Sequence, residues 1–597
     1  MCTKFKLFLI GFSLILFGHL GYAATYYVSP TGNNGNSGLS LGAALLTIQA
    51  AANKVMTGDS VLIADGNYAG FDYRGASGTP GDRIVFKAIG TGAIITSRGP
   101  LRLDGINIEG TSGNEIKYIE VNGLKIIGLG VAGNGIRLVF ADHCVVRNCT
   151  SDTNERGIFS GFTDHLLLEY NICSNAQDEH GIYISNSSDS VIVRYNMSFN
   201  NNNIGIHMNG DLSQGEDGIN HSPVVYGNHI YENKLAAGIN LDGVFNPMIF
   251  NNVIYNNHNC NAIILFQGDG AIVSNSGKIF NNTIVVPSDG RWGIMMLPGG
   301  QVNTEIYNNI ILNLHSFRGC IGVNATTSFA SNYNIVQNKL STNGGSSVIT
   351  FAAWQTLGFD ANSYSVTNAQ IPALFAGYAA NDFHLTSSSL AKDNGTSAVS
   401  YLVANDLDGN VRPMGAAYDI GAYEYSPPLA VSDVSTLKVM DMGGKVSVSW
   451  QALVEEDGAK FEIERSTNGI DFVKINQVNA NRKNTHYAVL DMEPTFGLNY
   501  YRVKTRLQNG EIKTSPIRAI DMVQTAIKVY PNPSSGEVYL ENPELVKKVF
   551  VYNSAGILLK TIQNPNTKLS LDIPSGNYLL VFVGDGFEKS SQIIVKQ

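Results

Sequence analysis

The chain has 597 residues, of which 15% are charged and 62 are glycine, with a net charge of −9 and a pI near 5.7. This acidic balance leaves no basic footprint for nucleic acid or an anionic lipid surface, and a polyanionic ligand would need positive charge gathered locally. The length exceeds what one ordinary core supports, while few charges and many glycines suit turns and stacked uncharged ladders.

At the start, Lys4 and Lys6 precede an apolar run over residues 7–20, and small residues lead to Ala23. This predicts a cleaved secretory signal over 1–23, since the run is short for a membrane span. No later stretch of 18 residues is apolar, so no transmembrane segment is expected in the mature chain. Cys2 leaves with the signal, and Cys144, Cys149, Cys173, Cys260 and Cys320 remain as an odd, irregular set. Such spacing predicts buried coil residues rather than a disulfide framework or metal site. Leu46, Ile48, Ala51 and Val55 follow at helical spacing, stopped by Gly58-Asp59, and predict a short amphipathic helix.

Residues 83–130 supply β-type runs, and from Gly135 a repeat emerges. Gly135-Ile136, Gly157-Ile158, Gly181-Ile182, Gly205-Ile206, Gly238-Ile239, Ala262-Ile263 and Gly293-Ile294 recur with a period of roughly 24 residues, broken by two insertions. Asn148, Asn171, Asn196, Asn228, Asn252, Asn282 and Asn309 keep the same phase. Asn tolerates left-handed backbone angles at a tight turn and can hydrogen-bond its counterpart one coil away. Each unit is too small to bury its own apolar face, so the period predicts a β-solenoid spanning about 60–400, with Ile182, Ile206, Ile239 and Ile263 in one interior column. The helix near residue 50 would then cover its open N-terminal end, and residues 351–363 and 381–426 its C-terminal end.

These residues resemble the right-handed parallel β-helix superfamily that holds pectate lyases, alginate lyases, mannuronan C5-epimerases and polygalacturonases. The resemblance covers roughly residues 25–425 and implies a polysaccharide as substrate. After Pro427-Pro428 the pattern alternates (KVSVSW, FEIERS, YYRVKT), which predicts a β-sandwich. Residues 427–523 resemble fibronectin-III-like modules. The segment from Val529-Tyr530-Pro531-Asn532-Pro533 to the end resembles the C-terminal sorting domain of the type IX secretion system of Bacteroidota, which implies a small sandwich over 524–597, engagement of that machinery, and release or surface attachment. The expected class is therefore all-β, a parallel β-helix over 24–426 followed by two sandwiches, in a monomer.

Period two places two outward columns on the strands that follow the Gly-Ile steps. One holds Arg137, Phe159, Tyr183, His207, Asn240, Ile264 and Met295; the other holds Val139, Gly161, Ser185, Asn209, Asp242, Phe266 and Leu297. Polar residues gather on a few adjacent coils, with Glu155-Arg156 and Asp178-Glu179-His180 just ahead of their strands. β-Elimination from a uronic acid needs a neutralised carboxylate, a base for the C5 proton and an acid for the leaving oxygen. Arg supplies a bidentate fork, and His and Tyr can be acid or base. The expected catalytic set is His180, Tyr183 and His207, with Asp178 orienting His180; Arg137, Arg156, Glu179, Asn209, Asn240 and Asp242 would contact substrate. Asp178-x-His180 resembles the Asp-x-His of mannuronan C5-epimerases, although Glu179 replaces the usual proline and the upstream tyrosine is absent. Other readings are an inverting hydrolase using Asp211 and Asp242, or glycan binding without cleavage. Asp211, Glu216, Asp217 and His221 lie in an insertion that forms either a cleft wall or a solvated loop. A Ca2+ site there is the weaker reading, because no Asp-x-Asp-x-Asp spacing occurs; no metal ligands are assigned.

Overall fold

Short β runs that cannot bury an apolar face alone must stack, and in the computed structural model they do. The structure describes residues 23–325, 328–426 and, apart from short internal stretches, 436–596. Apart from Ala23, the expected signal lies outside the described residues, as do the junctions expected at 427 and 524. Three parallel sheets run side by side: 12 strands from Thr25–Val28 to Phe329–Asn332, 12 from Gly66–Ala69 to Tyr364–Ser365, and 11 from Phe71–Tyr73 to Leu340–Ser341. Each full coil gives one strand to each sheet, as Val145–Arg147, Thr150–Asp152 and Ile158–Gly161 do, and pairs in parallel with the next. This is a right-handed parallel β-helix. Its first strand pairs Thr25 with Ser60 and its last pairs Ile335 with Tyr364, so it starts earlier and ends sooner than expected.

Ile182, Ile206, Ile239 and Ile263 stand in one register column, fully buried, as the Gly-Ile spacing predicts. Burying each such side chain contributes roughly 1.5–3 kcal/mol. The preceding glycine is required by proximity: a Cβ on Gly181 would lie 2.1 Å from Ser198 Oγ, and one on Gly205 2.5 Å from Ile230 Cγ2. Asn171, Asn196, Asn228, Asn252, Asn282 and Asn309 form a buried ladder ending on Asn334, each side-chain amide donating to the next at 2.9 to 3.1 Å. Asn148 does not join it. It sits one residue earlier, at φ 55, where Tyr170, Tyr195 and Asn251 also take left-handed angles, and Cys149 fills the ladder position by donating its N–H to Asn171 Oδ1. The two properties that suit Asn to such a repeat are thus divided between adjacent positions. The five cysteines of the coils are free and buried, and burial pushes the thiols of Cys144 and Cys149 up to about 12, far from a reactive thiolate.

The helix Ile48–Ala52 covers the first coil with Ile48, Ala51 and Ala52; Leu46, expected on that face, is exposed and Leu45 is buried instead. At the other end the helix Phe351–Thr356 sets the buried Trp354 against Phe329 and Phe359. The segment 381–426, expected to close the same end, runs back along the outside of the coils. Phe383, Leu385, Ile420 and Ala422 pack against Val253, Val285 and Ile310, and Val403 and Tyr418 against Phe250 and Phe280. Those outward apolar residues need cover, and the amide of Asn281 beside them finds an acceptor in Asp419 O at 3.0 Å.

Arg412 locks this return. Its side chain is wholly buried and donates to Glu424 at 2.7 Å, to Gly421 O at 2.9 Å and to Asn251 Oδ1 at 3.1 Å. Arg412→Met strands the Glu424 carboxylate, so a loss of roughly 3–5 kcal/mol is expected. Calorimetry would read it as a lower midpoint of the β-helix transition; an unchanged midpoint would make the pair dispensable.

Residues 426–597 form a separate unit. Antiparallel sheets around Trp450, Phe461, Tyr487 and Tyr501 make one sandwich, and those around Val538, Val549, Leu580 and Phe582 make a smaller one.

Candidate functional site

Strand alternation puts the residues next to the interior isoleucines of the third sheet outside. Arg137, Phe159, Tyr183, His207 and Asn240 pair rung by rung, and the column continues into Ile264 and Met295. The Tyr183 and His207 rings stack with centroids 4.7 Å apart and planes 6° apart, and Phe159 meets Tyr183 edge-on at 5.4 Å. His180 stands edge-on to both, 4.9 Å from Tyr183 and 4.7 Å from His207. The structure therefore brings three of the expected catalytic residues together.

Their arrangement differs from the expected relay. His180 is only 6% exposed and lies behind His207, not at the surface. The Ile204 N–H donates to His180 Nδ1 at 3.4 Å, so the proton of His180 is assigned to Nε2, which reaches His207 Nδ1 at 3.1 Å. His207 then carries its own proton on Nε2, turned away from His180. Asp178 does not orient His180: it is exposed, and the groups near the imidazole are Ile204, His207 and Glu179, whose Oε2 lies 3.5 Å from Nε2. Chain direction explains this, because His180 turns inward just before Gly181 while Asp178 is still on the outer bend.

The other expected contacts are already engaged. Arg156 holds Glu179 through two nitrogens and Glu155 at 2.8 Å, with its guanidinium 5.9 Å from the Tyr183 ring centroid. Arg137 donates to Asn107 Oδ1 at 2.7 Å and Glu109 at 3.2 Å. Asn209 is buried and donates Nδ2–H to Tyr183 Oη at 3.2 Å, which leaves the phenolic proton free to donate. Asp242 is buried and accepts the N–H groups of Gly268, Asp269 and Gly270, so it shapes a loop instead of facing substrate. Asn240 is buried beside His207, and among the described residues its Oδ1 has no hydrogen-bond partner. The insertion after Asn209 is exposed over residues 212–217 and is joined to the Asp242-pinned loop by Leu212 N–H to Asp269 O at 2.9 Å. Its Asp211 caps Ser213, and Asp217 pairs with His221 at 2.9 Å.

The strip also extends further toward the N-terminus than expected. Asp72 and Asn107 continue the first column, and Arg74, Arg102 and Arg137 all reach Glu109. Burial raises the Glu109 carboxyl, but the Arg102 hydrogen bond and the Arg137 charge outweigh it and hold it at about 2. A pocket of about 520 Å³ opens here, lined by Arg74, Arg102, Glu109, Thr111 and Asn114 among others. The sequence carries the signal: Gly105-Ile106 is the same dipeptide as Gly135-Ile136, one coil earlier.

Both imidazoles are held neutral. Burial, the facing His207 and Arg156 push His180 well below its ordinary value of 6.5, and burial pushes His207 to about 3. With folded pKa values lowered, the unfolded chain binds the extra protons, so stability is full above about 6.5 and falls as the pH drops toward about 3. The slope is at most roughly 1.4 kcal/mol per pH unit for each imidazole. His207→Gln is expected to flatten it by one imidazole's share in calorimetric midpoints taken across that range. An unaltered slope would mean that His207 titrates freely.

A parallel β-helix bearing such a strip is followed by a separate unit of two sandwiches. Residues 528–596 match the secretion system C-terminal sorting domain, so the chain carries a type IX sorting domain and is destined for the cell exterior or surface. Residues 77–263 match the family described as periplasmic copper-binding protein (NosD). Among solved structures the chain is similar to pectate lyase Pel9A, at 16% identity and a TM-score of 0.42, covering 68% of this chain and 98% of that one. It is similar also to a rhamnogalacturonan lyase, at 14% identity and a TM-score of 0.37, covering 49% and 83%. The alginate lyase of Paenibacillus sp. str. FPU-7 follows at 16% identity and 0.36, covering 46% and 93%. No curated protein sequence matches it.

Proposed function

We propose that this exported protein acts on an acidic polysaccharide lying along the third sheet, and that it cleaves the polymer by β-elimination with Tyr183 transferring the proton. The observation that carries this reading is the stacked Tyr183–His207 pair, whose assigned protons, Tyr183 O–H and His207 Nε2–H, are both free to donate outward. Donors arranged along a column suit an acceptor-rich ligand such as a uronate chain. Stacked rungs about 4.8 Å apart give five of them the reach of a few sugar units. In this reading His207 donates to the substrate carboxylate and His180 holds that ring in its tautomer. Tyr183 first gives its own proton to solvent, takes the C5 proton as the phenolate that the Asn209 amide supports, and passes it to the leaving glycosidic oxygen as the C4–O bond breaks.

The hydrolase reading loses its paired acids, since Asp242 is committed to three backbone N–H groups and Asp211 to Ser213. The epimerase reading loses support because Asp178 and His180 are apart. Glycan binding without cleavage is favoured by a different observation: Arg137 and Arg156 are already paired and both imidazoles sit far below their ordinary range. Incubating the full-length protein with a panel of uronate polymers separates the two. Growing ultraviolet absorbance of an unsaturated product supports the lyase, saturable binding without absorbance supports the binder, and neither result on any polymer sinks both.

A further inference from the structure

At the bend between the third and first sheets, two successive coils carry the same dipeptide, Asp142-His143 and Asp164-His165. His143 and His165 occupy equivalent turn positions at φ 53 and 52, where Tyr118 precedes them and Ser190 follows, so the histidine pair is confined to two rungs. Their backbones are fixed by donation to the next coil, His143 N–H to Asp164 O and His165 N–H to Asp189 O, each at 2.9 Å. The two rings stack at 4.2 Å and point the same nitrogen at one oxygen: His143 Nδ1 lies 2.7 Å and His165 Nδ1 3.2 Å from Asp142 Oδ1. All three donor atoms lie within 4.8 Å of one another.

We infer that Asp142, His143 and His165 form a binding site for a divalent transition-metal ion, separate from the glycan strip. Two imidazole nitrogens and one carboxylate oxygen are the donor set of a borderline ion such as zinc, not of calcium, which takes oxygen ligands. Metal–nitrogen bonds of about 2.0–2.1 Å fit two nitrogens already converging on one carboxylate, with small ring rotations. Without an ion each Nδ1–H donates to Asp142; when the metal takes Nδ1, each neutral ring shifts its proton to the outward Nε2, so no net proton need leave. The histidine side chains are 38% and 52% exposed, which leaves the open side for water or a further ligand. Lys117 Nζ sits 3.4 Å from the other Asp142 oxygen and 3.7 Å from Glu115; it holds the carboxylate in place, and Glu115 offsets its charge. Among the other described residues, His258 and His384 each meet two acids through opposite ring nitrogens, so their partners do not converge on one point.

The test is calorimetric titration of the full-length protein with Zn2+, with Ca2+ as the hard-ion control. Asn is the replacement of choice because it tolerates the left-handed backbone at both turns. His143→Asn and His165→Asn are each expected to weaken the tightest Zn2+ site at least ~10-fold, with Ca2+ showing no comparable site and the melting temperature unchanged. His258→Asn and His384→Asn are expected to leave that site intact. Equal Zn2+ affinity in the parent and in both bend variants overturns the inference, as does a tightest site lost only on changing His258 or His384, or a parent that binds Zn2+ no better than Ca2+. Should a single variant lower the melting temperature, the Cu2+ electron paramagnetic resonance of the unaltered protein decides: coupling to two nitrogens supports the site, and coupling to fewer sinks it.

Discussion

Tyr183→Phe is expected to lower the rate on the polymer that the parent protein cleaves by about 10²–10⁴-fold, the usual share of a positioned acid–base group. The change removes one oxygen and keeps the ring, so the stack on His207 and the edge contact with Phe159 remain and the melting temperature should hold. What is lost is the hydroxyl that accepts from Asn209 while offering its own proton outward. His207→Gln, by contrast, keeps an N–H donor but loses the aromatic stack on Tyr183 that positions it, so its effect should fall more on apparent substrate affinity than on turnover. His180→Gln is expected to act through His207, because the buried His180 ring holds His207 by the 3.1 Å contact between them. Turnover of Tyr183→Phe within a few-fold of the parent would move the chemistry away from the Tyr183–His207 pair, with the arginine-lined pocket beside Glu109 at the strip's N-terminal end as the next place to look.

A chain ending at Met522 is expected to vanish from the culture medium of the native cell while retaining its activity when purified from inside. The sorting match spans residues 528–596, and that segment has its own core around Val538, Val549 and Phe582. This core is a cluster of its own within the second unit. Comparing medium and periplasm for the truncated and full chains measures the effect. Normal extracellular yield of the truncated chain would mean that another segment addresses the protein.

The Asp242 loop and the return segment show where local reading stops. Asp242 was expected to face substrate because it lies two residues beyond Asn240 on an outward phase, yet the loop at 267–271 folds over it. The direction of a strand side chain follows from alternation, whereas whether a loop later covers it depends on insertions far along the chain. Arg137 and Arg156 were legible as outward cations; their partners Glu109 and Glu179 come from neighbouring coils, and only the coil register brings those acids within reach.

By itself, then, the sequence determined the solenoid, its interior isoleucine column and the rung-by-rung order from Arg137 to Asn240, because period-two alternation and the close approach at each glycine are properties of a residue and its near neighbours. Tertiary structure alone decided that His180 turns behind His207, that the arginines meet Glu109 and Glu179, and that Asn405 and Arg412 return to Asn251 across more than 150 residues. Those outcomes rest on which charges and amides meet through space once turns and insertions have set the coils. A buried polar group takes whichever partner lies within about 3 Å, whatever its distance along the chain.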